Sequence, residues 1–303
     1  MNEKIPHIPV LYKEVKESFA KVKSGTIIDC TLGYGGHTSL LLNSNPSIDV
    51  IGIDQDIEAI EFSSKRLEEF GLRVKIKKGR YSSVIKELLG EDTRGILADI
   101  GVSSLQLDKQ DRGFSFGSDR LDMRMDQGSS FSASDVINSY SQNDLERVLK
   151  EYGEIGNYKN LANEIVKNRP FSSVDELVKK LDKFLYKGKN IHPATLLLQA
   201  IRIEVNSELQ ELESLLDTIE NSNLKDCIVA IISFHSLEDR IVKNYFARWA
   251  KDCICPDDAM RCSCGKNHSK GKVLTKKPIV AQKDELTQNK RSRSAKMRVF
   301  HIK

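Results

Sequence analysis

IIDCTLGYGGHT, residues 27–38, starts as a short apolar run, breaks on Gly33, Gly35 and Gly36, and resumes at His37 in a helix-like pattern. Glycine allows a tight turn and a close backbone approach, and the helix that follows starts with free N–H groups aimed at a ligand. A buried strand, a glycine turn and a helix in that order are how many α/β proteins hold a nucleotide-like cofactor.

The flanking residues narrow the cofactor. Asp54 closes the next apolar run, 21 residues after Gly33, where a carboxylate can accept hydrogen bonds from both hydroxyls of a ribose. NAD and S-adenosylmethionine both satisfy that much. The dinucleotide fingerprint, however, needs glycine where this chain has Thr38. Asp29, just before the turn, also places an anion near the ligand, which repels a pyrophosphate and attracts a sulfonium and an ammonium group. The local chemistry therefore favours the methyl donor.

Outward from the turn, TIIDCTL, VIGIDQD, RVKIKKG and GILADIGV read as strands separated by amphipathic helical segments, which predicts a parallel sheet covered on both faces. Asp99 ends the fourth of these runs, on the side where a parallel sheet opens onto its ligand. From about 133 to 217 the apolar spacing turns helical, as in DLERVLKEYG, NLANEIVKN, VDELVKKLDKFL and ATLLLQAIRIEVNSELQELESLL. CIVAIISF at 227–234 then resumes the strand pattern, so the helices read as an insertion between two strands of one sheet. SAKMRVFHI at 294–302 reads as a closing edge strand, and 252–292 as loop. The division expected is 1–105 for the first part of a Rossmann-like α/β domain, 106–205 for a helical insertion, and 206–303 for the second part with a basic tail.

A chain of 303 residues with 39% hydrophobic and 30% charged residues can bury a large core. It shows neither an apolar run long enough for a membrane span nor a secretion signal, and a cytoplasmic, reducing setting is expected. The net charge of +4 is unevenly placed: from Lys266 onward twelve Lys or Arg face only Asp284 and Glu285, a local +10 that leaves residues 1–265 at −6. Cys30 and Cys227 lie in strand-like runs and read as small core residues.

HIPVLYKEV (7–15), DCTLGYGGHT (29–38), DIGVSSLQLD (99–108), RGFSF (112–116), LDMRMD (121–126), HPAT (192–195), QAIRIEVNSEL (199–209), ISFHSLEDRIVK (232–243) and RSRSAKMRV (291–299) together resemble the bacterial 16S ribosomal RNA cytosine-N4 methyltransferase family, RsmH or MraW. The resemblance implies a class I S-adenosylmethionine-dependent methyltransferase sheet with an inserted α-helical substrate-recognition domain. It implies donor contacts at Gly35, Gly36, His37, Asp54, Tyr81, Asp99 and Gln106, and N4-methylation of a decoding-centre cytidine in the small ribosomal subunit. The target amine is a weak nucleophile, so orientation and an acceptor for its proton are the main tasks. Asp99 is the expected acceptor, with His235 helping to orient the base or take the proton. Arg112 and Arg124, with Phe114 and Phe116 beside them, are expected to meet RNA. Arg291 and Arg293 in the basic tail are expected to meet phosphates.

The chain departs from the family pattern at Leu196, Leu197 and Leu198, where Arg-Thr-Phe is usual, and at YGEIGNY (152–158), where Glu-Arg usually follows YGE. Cys253, Cys255, Cys262 and Cys264 form two C-x-C pairs that could hold a structural zinc ion as four thiolates. The family includes members without such pairs, so they are not needed for catalysis. The sequence leaves open whether the chain works alone or as a homodimer.

Overall fold

A computed structural model describes residues 9–185, 192–256 and 261–303. His7 and Ile8 of the first motif lie outside them. The described chain falls into two compact units, 1–101 with 211–303, and 102–210.

The first unit is built on eight strands: β1 (Gly25–Asp29), β2 (Ile48–Asp54), β3 (Val74–Lys78), β4 (Thr93–Asp99), β5 (Cys227–Ser233), β6 (Gly271–Val273), β7 (Ile279–Val280) and β8 (Lys296–Ile302). They form one sheet in the order β3-β2-β1-β4-β5-β8-β6, with β7 also paired to β8. The five strands from β3 to β5 are mutually parallel, and β8 pairs antiparallel with β5, β6 and β7. This is the expected α/β architecture of a class I methyltransferase.

Strict alternation splits each central strand between two cores. Ile27, Leu97, Ala230 and Ile232 pack on one face with Val15 and Phe19 of α1 (Tyr12–Phe19) and Leu40 to Leu42 of α2 (Gly36–Ser44). Ile28, Ile96, Ala98, Val229 and Ile231 pack on the other, against Ile85 and three later helix residues, Leu212, Phe246 and Trp249. A strand covered on both faces must be apolar throughout, which is why these runs stood out in the sequence. Cys30 and Cys227 are core residues, as expected. Helices α3 (Ile57–Leu67) and α4 (Tyr81–Leu88) complete the first half of the unit.

The second unit contains α5 (Ser104–Asp108), α6 (Ala133–Ser139), α7 (Gln142–Glu151), α8 (Tyr158–Lys167), α9 (Val174–Leu181) and α10 (Thr195–Asn206). Serine caps start three of them: Ser132, Ser141 and Ser173, as expected for short helices whose first N–H groups need acceptors. α10 packs on α6 and α7. Leu197 and Leu198 are buried in α10, so the leucine run serves packing. The helix expected from 194 to 216 is two: Ser207 adopts a left-handed conformation (φ 54°) between α10 and α11 (Glu208–Glu220). The chain ends with α12 (Ser236–Trp249) and α13 (Lys283–Gln288).

The edge-strand expectation for 294–302 is corrected. β8 is an interior strand with β5 on one side and β6 and β7 on the other. Those two strands come from the stretch read as loop, and three and two residues are too few to show alternation. No helix among the described residues is long and apolar enough to cross a membrane.

Candidate active site

The strand order reverses at β1: β2 and β3 lie to one side, β4 and β5 to the other. Ligands of open α/β sheets bind at the carboxyl ends of the strands where this reversal occurs. Asp29 ends β1, Asp54 ends β2 and Asp99 ends β4. The first unit therefore gathers Gly35, Gly36, His37, Asp54 and Asp99 at one set of strand ends, with Tyr81 opening α4 after β3 and His235 following β5.

Asp29 and Thr38 set the turn. The Asp29 carboxylate is buried, with Oδ2 accepting from the Thr38 hydroxyl at 2.7 Å and Oδ1 from the Thr31 N–H at 3.2 Å. Thr31 Oγ1 in turn accepts from the Asp99 N–H at 2.7 Å, tying the ends of β1 and β4 together. Burial is the main cause of an upward shift of the Asp29 carboxyl, opposed by His37, Thr38 and Thr31. Asp29 thus fixes the turn through Thr31 and Thr38, at the end of β1 where the sequence reading places its charge near the ligand. Gly35 takes φ +71°, and a side chain at Gly36 would run into Pro9 at 2.4 Å, so both must be glycine.

Asp54 is held in place by two backbone donors, Gly33 N–H to Oδ2 at 2.7 Å and Asp56 N–H to Oδ1 at 2.9 Å. Burial outweighs them and pushes its carboxyl up to about 6. His37 Nε2 is 3.5 Å from Asp99 Oδ2, without hydrogen-bond geometry. Both ring nitrogens of His37, and Asp99 Oδ1, are buried without a hydrogen-bond partner. Buried polar atoms are rarely left so; among the described residues six side-chain atoms are, and three of them, those of His37 and Asp99, lie at the switch point. They fit the expected donor: Asp54 stands where ribose hydroxyls need acceptors, the half-buried Tyr81 ring offers an apolar wall on the α4 side, and His37 and Asp99 carry unused polar atoms.

His235 takes another part. It caps α12: its Nδ1 accepts from the Glu238 N–H at 3.4 Å, while Glu238 Oε2 accepts from the N–H groups of Phe234 (2.8 Å) and His235 (3.2 Å). Nε2 lies 3.0 Å from Glu238 Oε1 and is buried. His235 thus fixes the start of α12, directly after β5, where the sequence reading expects it to orient the base or take the amine proton. Asp239 in the same motif is bidentate to Arg298 of β8 at 2.7 and 3.1 Å, a contact the sequence reading missed.

In the second unit, Gln106 is buried and its Oε1 accepts from the Ser103 N–H at 3.0 Å. Arg112 is 1% exposed, and its guanidinium donates to the carbonyls of Arg124 and Met125 at 3.1 and 3.2 Å. Arg124 pairs with Asp122 at 2.9 and 2.7 Å and also donates to Gln127 O and Ser129 O. Burial alone would raise the Asp122 carboxyl, but the Arg124 bonds outweigh it and hold the group below its ordinary range. Both arginines organise their own loop, where the sequence reading expects them to meet RNA. Asn206 pins the same loop by accepting from Met125 N–H and donating to Met123 O, each at 2.8 Å. Phe114 is buried, whereas Phe116 is 39% exposed and stacks on His192 at 3.9 Å. Arg291 is half-buried and Arg293 exposed in the basic tail of the first unit.

Residues 4–303 match the family described as the MraW methylase family. Three relatives bear the name Ribosomal RNA small subunit methyltransferase H. The protein of Sulfurimonas denitrificans is 63% identical over 303 residues, 99% of each chain. That of Aliarcobacter butzleri is 60% identical over 98% of each, and that of Nitratiruptor sp. 58% identical over 98% of this chain and 99% of its own. With near-complete coverage, and with the sheet and strand-end site that such an enzyme needs, the chain belongs to the MraW methylase family.

Proposed function

We propose that this methyltransferase moves the methyl group of S-adenosylmethionine to the N4 amine of a cytidine in the decoding centre of 16S ribosomal RNA. The observation that carries the proposal is the buried, unpartnered Asp99 Oδ1 beside His37 at the switch point. The names of the relatives support the ribosomal substrate. When bound, S-adenosylmethionine supplies an electrophilic methyl group.

The chain's residues do the rest. Gly35 and Gly36 offer bare backbone, and Asp54 accepts from the ribose hydroxyls. Asp99 accepts a hydrogen bond from the cytosine amine, which turns the nitrogen lone pair toward the methyl group, and takes the proton that the nitrogen sheds. The cytosine must leave its stack to reach these groups. In this proposal the second unit supplies substrate recognition, with the exposed Phe116 as a stacking surface and Arg291 and Arg293 of the first unit as phosphate contacts.

Calorimetric titration with S-adenosylmethionine and with NADH, followed by transfer of labelled methyl to 16S RNA, tests the proposal. Binding of the methyl donor alone is expected. Asp99→Asn is expected to cut turnover roughly 100-fold or more; a variant with full donor affinity and full turnover removes Asp99 from the reaction.

A further inference from the structure

Between α12 and β6 the chain crosses a segment with almost no core of its own. Among the described residues of 251–270, not one is buried. Two backbone bonds close it, His268 N–H to Asp252 O at 3.1 Å and Lys270 N–H to Trp249 O at 2.8 Å. Yet this exposed segment brings four sulfur atoms within 4.8 Å of one another, those of Cys253, Cys255, Cys262 and Cys264. Ordering four largely exposed side chains at one point costs conformational entropy that packing does not return here.

The spacing identifies what would return it. Cys253 and Cys262 are 3.7 Å apart at sulfur, Cys262 and Cys264 3.6 Å, and Cys264 and Cys253 3.7 Å. A disulfide needs about 2.05 Å, and all four thiols are free. Sulfurs about 2.3 Å from a tetrahedral ion stand about 3.8 Å from each other, which is close to the spacing observed. A backbone N–H also reaches one of the sulfurs: Ser263 donates to Cys255 at 3.3 Å. Such donors orient and stabilise thiolate ligands. Four thiolates around a divalent ion leave a charge of about −2; in the same segment Lys251, Arg261, Lys266 and Lys270 outnumber Asp252, Asp257 and Asp258 by one.

We propose that Cys253, Cys255, Cys262 and Cys264 hold one zinc ion, and that the ion fixes the basic edge that follows, Lys266, Lys270 and Lys272, for contact with RNA phosphates. Lys270 is the hinge of this arrangement: its N–H bonds to Trp249 at the end of α12 and its carbonyl accepts from the Lys303 N–H at 2.9 Å, beside the β6–β8 ladder. The second half of the proposal rests on the ribosomal RNA reading; the metal site does not.

Full-length protein purified without chelator is assayed for metals by mass spectrometry and for binding of a 16S RNA fragment over a salt series. About one zinc per chain is expected. The double variant Cys253→Ser/Cys262→Ser is expected to hold almost none while keeping wild-type affinity for S-adenosylmethionine, which shows that it folds. Cys264→His, which keeps four ligands, is expected to retain zinc, and cobalt added to the zinc-free protein is expected to give the intense visible absorption of a tetrahedral thiolate site. No metal, iron in place of zinc, or equal zinc in the double variant overturns the site. The zinc-free variant is expected to bind RNA roughly tenfold more weakly, with a shallower salt dependence; unchanged RNA binding overturns the stapling role. Wild-type protein that holds zinc but binds no RNA contradicts the RNA reading and the stapling role together, and leaves the metal site standing.

Discussion

Thr38 occupies the position where a dinucleotide turn carries its last glycine, and its hydroxyl is the main partner of the buried Asp29 carboxylate. Removing that hydroxyl without removing volume leaves a buried acceptor unpaired, so Thr38→Val is expected to lower stability by about 1–3 kcal/mol in urea unfolding. Asp54 makes a different prediction. Burial raises its carboxyl to about 6, whereas in the unfolded chain it ionises in the ordinary carboxylate range. Its contribution to stability therefore falls as pH rises through that window. Donor binding has the opposite slope, because ribose hydroxyls donate to the carboxylate. Affinity for S-adenosylmethionine is expected to weaken below about pH 6, by up to about tenfold per unit, and Asp54→Asn should flatten the profile in calorimetric titration. Position and residue type of both aspartates were legible in the sequence. That Thr38 and Thr31 take up the Asp29 carboxylate was not, because spacing gives the strand end but not the direction of the carboxylate.

Two elements show arginines whose bonds a motif alone does not reveal. RGFSF and LDMRMD announce guanidinium groups beside aromatic rings, a pattern shared by RNA-binding surfaces and by loops that satisfy their own carbonyls. In the fold, Arg112 and Arg124 spend their donors on the backbone of residues 124–129 and on Asp122, and Asn206 closes the loop from α10. Arg112→Lys cannot reproduce the planar fork and is expected to cost about 1–3 kcal/mol of stability. Arg293→Ala, at an exposed site, is expected to leave the melting temperature unchanged and to weaken RNA binding with a salt slope smaller by about one phosphate. A melting curve and a salt titration on both variants separate the two roles. In the SFHSLEDR element, too, the histidine and acids make internal bonds: they cap α12 and tie it to β8.

Across the whole molecule, the parallel strands and the helical insertion were readable because doubly covered strands are apolar runs and helices repeat at a different period. β6 and β7 were unreadable at three and two residues, and β8 was misread as an edge for that reason. Charge is organised on the same scale: a chain that sums to −6 through residue 265 carries +10 after it, on the segment that follows the cysteine cluster. That asymmetry suits a polyanionic substrate.

The central claim is the reaction itself. Purified protein and S-adenosylmethionine are incubated with unmodified small subunits and, separately, with naked 16S RNA, and the RNA nucleosides are resolved by mass spectrometry. N4-methylcytidine in at least one sample, lost in Asp99→Asn, is the result predicted here. Donor binding with no methylated cytidine in either sample, or a methyl group on another atom, would contradict it.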